Sequence, residues 1–393
     1  MLSESRAGQV SEACQRLVRA KSYSGEEQQA ADASRQLMLE LGFDRVDIDR
    51  YGSVIGCIKG KRPGKKILLD GHIDTVPVPD ASKWRYDPFG GRIEDGRIYG
   101  RGTSDMKGAV GAMICAAGYF AGDCGRDFGG EIYVAGTVQE ECFEGIAARE
   151  ISKAYKPDYV VIGEATALNL KRGQRGRAEI VLETFGRPAH SANPEEGRNA
   201  VYYMTALIEE IKRMGYEGHR FLGKGILVLT DIMSSPYPGA SVVPDYCRAT
   251  FDRRLLMGEG RESVLKPLTD IIERARNNIH GLEAKASYAS GAETCYTGEP
   301  IEAERFFPAW LYEEEDELVQ KALRGLKNSR LNPYVTHYSF CTNGSHYAGE
   351  AGIRTVGFGP SREDLAHTID EYIEIDQLTA ACEGYYGIIG AVL

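Results

Sequence analysis

Four short apolar runs set the frame of this chain, because each ends at polar residues and helical periodicity separates one from the next. They lie at 66–69, 132–138, 159–162 and 354–358. Apolar runs of this length between helices predict buried strands of an α/β fold with a mostly parallel sheet. The segment GAVGAMICAAGYF at 108–120 is small and apolar all round, which predicts a helix covered on most sides. Ser24 and Glu27 fit a capping box that opens a helix running to about Leu41, with Gly42 as its stop. A hairpin-like stretch, VDIDRYGSVIGCIKG, follows.

The middle of the chain changes period. Ala178, Ile180 and Leu182 alternate with Glu179, Val181 and Glu183, and a helical stripe follows at Ala200, Met204, Leu207, Ile208 and Ile211. Residues 226–232 read as a strand, and Cys247, Ala249 and Phe251 alternate with charged or polar neighbours. A second stripe (Val264, Leu265, Leu268, Ile271, Ile272, Ala275) precedes a last alternation at Leu282, Ala284, Ala286 and Tyr288. Strand–helix–strand–strand–helix–strand is the order of a ferredoxin-like α+β unit. The 393 residues suffice for about two domains. The expected division is a catalytic domain of residues 1–177 and 291–393 and an inserted lid or dimerisation domain at 178–290.

Composition excludes several classes. Hydrophobic residues at 42% against 26% charged argue for a packed core, not disorder. A formal net charge of −10 disfavours nucleic acid and anionic membranes as partners and suits a small-molecule substrate and a cation-collecting site. Nine scattered cysteines without a C-x-x-C read as free thiols of a reducing compartment. The polar start and the lack of an eighteen-residue apolar run then make the cytoplasm the expected location.

The chemistry sits just past the predicted strand ends. His72 and Asp74 form an H-x-D pair, Asp105 lies in GRGTSDMKG, Glu140 and Glu141 are adjacent, Glu164 follows YVVIG, and His367 lies in a loop beyond TVGFG. In open α/β sheets the site collects at the carboxyl ends of the strands. Two imidazoles and several carboxylates in one cleft repel and desolvate one another unless divalent cations lie between them. Donors without thiolate suit zinc first, then manganese or cobalt. A carboxylate can bridge two such ions. Asp74 is placed to accept the other ring N–H of His72. Of Glu140 and Glu141, pointing opposite ways on an extended segment, one would bind metal and the other act as general base. Taken singly, each residue has a plainer role, a surface His or Glu or a helix cap, and their coincidence at strand ends outweighs this. His219, His280 and His337 lack such a context.

GHIDTVPVPD, GRGTSDMKG, the QEE triplet, GEAT and AHTIDE together resemble the acetylornithine deacetylase, succinyl-diaminopimelate desuccinylase and aminoacylase family of co-catalytic metallohydrolases, over essentially the whole chain. In GQRGR, FLGKG, FDRRL and CTNG the chain is most similar to the YgeY-type, selenium-metabolism-linked hydrolases. The resemblance implies His72, Asp105 and Glu164 around one metal, and Asp105, Glu141 and His367 around the other, with Asp105 bridging. It further implies Glu140 as base, Asp74 as the orienting carboxylate and a cis Asp105–Met106 peptide. It implies His190 as the residue that polarises the scissile carbonyl, often across a homodimer formed through the inserted domain. Arg254, with Arg253 as a substitute, would grip a substrate carboxylate, for which a planar guanidinium is suited; a strand-edge salt bridge is the plainer role of Arg254. Asn343 falls at the substrate side, in a segment that reads Asn343-Gly344-Ser345-His346 where many relatives carry an aspartate. The implied function is a two-metal amide hydrolase of deacylase type acting on a small N-acyl amino acid. A di- or carboxypeptidase, an N-carbamoyl or ureido amidohydrolase, and a catalytically silent metal-binding protein are the alternatives.

Overall fold

The computed structural model describes residues 2–393, which divide into two compact units. One comprises the chain through Gln174 with Ala292–Glu302 and Trp310–Leu393; the other comprises Arg175–Gly291 and Ala303–Ala309.

In the first unit a nine-stranded mixed sheet has four parallel strands at its centre: Gly129–Thr137, Arg62–His72, Tyr159–Ile162 and Arg354–Gly357. These are the four apolar runs of the sequence. Antiparallel strands Arg45–Ile48 and Val54–Lys59 extend one edge, and Leu170–Gln174 with Trp310–Leu311 the other. The apolar stretches of the central strands, 67–69, 132–135, Tyr159–Ile162 and Val356, are buried because both faces of the sheet are covered there. The helix Gly108–Asp123 is buried along nearly its whole length, as its small residues predicted. It passes close beneath the strand ends because Gly71 and Gly163 lack side chains. A Cβ at Gly71 would come within 2.6 Å of Met106, and one at Gly163 within 2.8 Å of Met113.

Two local expectations are corrected. The helix after Ser24 spans Gln28–Glu40, but its N-cap is Glu27 with no side-chain cap bond, so the capping box does not form. Ser24 instead donates to Asp74 Oδ2 at 2.7 Å, spending its hydroxyl on the site. Glu140 and Glu141 lie not in an extended segment but in a tight turn after Gly129–Thr137, where Phe143 N–H donates to the Gln139 carbonyl at 2.9 Å.

The second unit has strands Gly176–Phe185, Ile226–Ser235, Tyr246–Leu255 and Glu283–Tyr288 with helices Ala200–Lys212 and Arg261–Asn278. The sheet is antiparallel in the order second, third, first, fourth, the ferredoxin-like arrangement. Leu207, Phe251, Leu268 and Ile271 lie in its core. Residues 303–309 also belong here, because Phe306 and Phe307 pair with Ala178 and Arg177 on the first strand. A contiguous insert at 178–290 omits this return segment. The strand Ile226–Ser235 is an edge with exposed Val228, Ile232 and Met233.

Candidate metal centre

The strand Arg62–His72 delivers His72 to the floor of the first unit's cleft, where it is almost wholly buried. The Nδ1–H of His72 donates to the Asp74 carbonyl at 2.9 Å, which fixes the tautomer and leaves Nε2 as the inward-facing donor atom. The expectation gave this task to the Asp74 side chain; the nearest carboxylate oxygen is 3.6 Å away, and the main chain does it instead. The Asp74 carboxylate accepts from Glu140 N and Glu141 N, both at 3.1 Å, besides Ser24. One residue therefore sets both the imidazole and the turn that carries the two glutamates.

Asp105 stands at the middle of the irregular turn Thr103–Lys107, with φ −129° and ψ 92°, and its peptide bond to Met106 is cis. Its Oδ1 is 2.9 Å from His72 Nε2 and its Oδ2 3.1 Å from His367 Nε2. A single carboxylate thus faces two imidazoles, one oxygen each. Glu164 Oε1 lies 3.5 Å and Glu140 Oε2 4.0 Å from His72 Nε2. Both Glu141 oxygens lie within 3.2 Å of His367 Nε2. Two donor groups result: His72, Glu140 and Glu164, and His72, Asp105 and Glu141, each with its atoms within 4.8 Å of one another. The turn, not strand alternation, sends Glu140 to the buried side and Glu141 to the His367 side.

The electrostatics fit divalent cations. Burial pushes the Glu164 carboxyl up to about 8, with Asp105 adding to it, and raises Glu140 well above the usual range and Glu141 in the same direction. Burial acts the same way on Asp105, yet the two imidazoles outweigh it and hold that carboxyl low. Hydrogen bonds to Asp105 and Glu141 lift His367 to about 10. Carboxylates crowded into a dry cleft are a stable arrangement only around positive charge, and two imidazoles with oxygen donors are suited to zinc, cobalt or manganese.

The other expected residues take separate places. Asn343, expected at the substrate, is buried in the first unit and not open to a ligand. Its Oδ1 accepts from Gly145 N at 2.8 Å and its Nδ2 donates to Asp70 at 3.0 Å, so both ends of the amide tie the frame. Buried Asp70 also accepts from Thr137 and Tyr347, a network with no local sequence signal. His190 and Arg254 belong to the inserted unit. Ala192 N–H donates to His190 Nδ1 at 3.0 Å, which puts the ring proton of the neutral imidazole on Nε2. Arg254 Nε pairs with Asp252 at 2.7 Å, on a strand that lies inside the sheet and not at its edge, and its terminal nitrogens have no partner among the described residues. Arg253 is no substitute: its guanidinium is engaged by Glu259 and by the carbonyls of Ile226 and Arg254. His219 accepts from Phe221 N and Leu222 N, and His337 contacts the Tyr338 carbonyl; neither joins the cluster.

Similarity to known proteins agrees with this geometry. The model of the family described as Peptidase family M20/M25/M40 matches residues 68–391. The chain is 35% identical over 363 residues to the uncharacterized protein YgeY of Escherichia coli (strain K12), covering 90% of this chain and 87% of that one. It is 28% identical over 384 residues to succinyl-diaminopimelate desuccinylase 2 of Ruegeria sp. (strain TM1040), covering 93% and 90%. Its fold is similar to that of the aminopeptidase PepT from Bacillus cereus ATCC 10987, with a TM-score of 0.76, 19% identity and 98% of each chain covered.

Proposed function

We propose, from the premise that this chain belongs to peptidase family M20/M25/M40 and is a metal-dependent hydrolase of amide bonds, that it removes the acyl group from a small N-acyl amino acid. The observation that carries this reading is Asp105, with one oxygen toward His72, the other toward His367, and Glu140 beside them. His72, Asp105 and Glu164 would hold one divalent ion and Asp105, Glu141 and His367 a second, zinc in both by donor type; when bound, the pair lowers the pKa of water to about 7 and polarises the scissile carbonyl.

Glu140 takes the proton of the attacking water and returns it to the leaving nitrogen. Its position supports this, because burial raises its proton affinity and the turn keeps it off the His367 side. Asp74 holds that turn through two main-chain N–H groups. His190 presents Nε2–H as the donor that stabilises the developing oxyanion. Arg254, anchored through Nε by Asp252, offers its two terminal nitrogens to the substrate carboxylate. The exposed apolar edge at Val228, Ile232 and Met233 supports a homodimer through the inserted unit, since an uncovered edge strand of this kind invites pairing. The nine cysteines, none of them in a disulfide among the described residues, support a reducing, cytoplasmic setting.

Glu140→Gln tests the reading. The variant keeps both ions and loses about 10²–10⁴-fold in turnover; undiminished hydrolysis removes Glu140 from the mechanism. A panel of N-acetyl, N-succinyl, N-carbamoyl and dipeptide substrates tests the substrate class, and preference for dipeptides overturns the deacylase assignment.

A further inference from the structure

The residue that joins the two ligand loops is not itself a donor. Glu371 is fully buried, four residues beyond His367. Its Oε1 accepts from Ser104 N at 2.8 Å and from Asp105 N at 3.1 Å, and its Oε2 accepts from Arg101 Nη1 at 2.6 Å. Its carbonyl accepts from Gly100 N at 2.8 Å. Directly after it, Tyr372–Glu374 pairs with Arg97–Tyr99, and Ser104 Oγ donates to the Tyr372 carbonyl at 2.6 Å. Arg101 is buried too, with its guanidinium 5.2 Å from the centre of the Trp84 ring. The segment behind His367 and the segment before Asp105 are thereby sewn together through one carboxylate.

A buried ion pair is a poor way to stabilise a fold, since apolar residues of similar volume often do as well. Here the pair does something apolar residues cannot: it captures the two amide groups that lead into Asp105. His72 does not depend on this, being held by its strand and by the Asp74 carbonyl. His367 does depend on it. It sits in an exposed loop at φ +62°, and among the described residues the polar partners of its imidazole are Asp105 and Glu141.

We infer that Glu371, backed by Arg101, is a positioning residue that sets the approach of the His367 loop to Asp105 and so governs the affinity of the ion on the His367 side. This rests on the two-ion reading above. Glu371→Gln can still accept from Ser104 N and Asp105 N, but its amide N–H groups must face the Arg101 guanidinium, donor against donor.

The test is zinc affinity measured by competition with a chromophoric chelator, on zinc-loaded wild type and E371Q, together with the thermal midpoint of each metal-free protein. Expected is a loss of about 10–100-fold in affinity for one ion, with the other ion within a few-fold of wild type. The visible spectrum of the cobalt-loaded variant should change at one site only. Arg101→Lys, which keeps the charge but loses the fixed fork, should show the same one-ion loss in smaller measure, and it carries the test if E371Q does not fold. The inference is overturned if both ions weaken together in step with a lowered metal-free midpoint, or if neither affinity moves. Fewer than two ions on the wild type would instead bring down the two-ion reading.

Discussion

The two imidazoles that meet Asp105 arrive by different routes. His72 ends a central strand and its side chain is 1% exposed, whereas His367 sits in a loop with its side chain 52% exposed. A donor at a strand end is fixed by the sheet and opens only when the sheet does. A donor on a loop opens with the loop, at far lower free energy. The centre therefore has a permanent half and an adjustable half, and Asp105 belongs to both. Removing that shared group gives the largest effect. In Asp105→Ala both ions should be lost and hydrolysis should fall by roughly 10⁴-fold or more, as costly as deleting the other ligands together, because residues that act as one unit are not additive. Metal analysis and turnover check this; retention of one tight ion would show that the halves do not share a ligand.

Replacing each histidine alone breaks the symmetry of the pair. His72→Ala removes a buried ring and leaves Asp105 and Glu164 crowded without it, so the metal-free protein should lose about 2–4 kcal/mol of stability along with an ion. His367→Ala should lose the ion on its side and cost the metal-free protein less than His72→Ala does, since the ring is half exposed, but not nothing, since Asp105 and Glu141 lose the imidazole they share. Denaturant melts of the two chelated proteins measure the difference. Equal destabilisation by both would erase the distinction between the halves.

A smaller effect sharpens the account of the permanent half. Asp74→Asn keeps the main-chain carbonyl that orients His72 but offers one oxygen where Glu140 N, Glu141 N and Ser24 now share two. Hydrolysis should fall about 10–100-fold, chiefly in kcat, with the His72 tautomer and the tightly held ion retained. A rise in KM alone would place Asp74 at the substrate instead.

The two halves were also unequally legible. His72, Glu164 and the glutamate pair stand at the ends of apolar runs, where strand length alone says that a side chain enters the crevice, and Asp105 stands just before the small-residue helix. His367 was marked only by its surrounding words, since a loop carries no period. The supports left less trace still. Ser24 looked like a helix cap because its spacing to Glu27 is that of a capping box, and only tertiary structure turns its hydroxyl toward Asp74. Glu371 and Asp70 act across 266 and 277 residues of sequence, on Asp105 N and from Tyr347 respectively, and no local pattern encodes such partners. In the inserted unit the alternation gave the strands cleanly, whereas the two-residue strand Phe306–Phe307 is too short to show a period.

The smallest effect on turnover concerns the layer behind the permanent half. Glu27 is fully buried; its Oε1 accepts from Gln139 N at 3.2 Å, and its Oε2 has no partner among the described residues. Burial first, and the charge of Asp74 second, push its carboxyl from 4.5 up to about 7. The folded protein thus holds this proton more tightly than the unfolded chain. Between those two values folding takes up a proton, so this residue's contribution to stability declines as pH rises through the window and is constant above about 7. Glu27→Gln lacks the titration. Its stability relative to wild type should therefore climb across the same interval, by up to ~3 kcal/mol, while turnover changes least among these variants. Melts of both proteins at a series of pH values read this directly. A difference that stays flat would mean that Glu27 is as readily ionised in the fold as out of it, and that the turn bearing Glu140 tolerates a second negative charge behind Asp74.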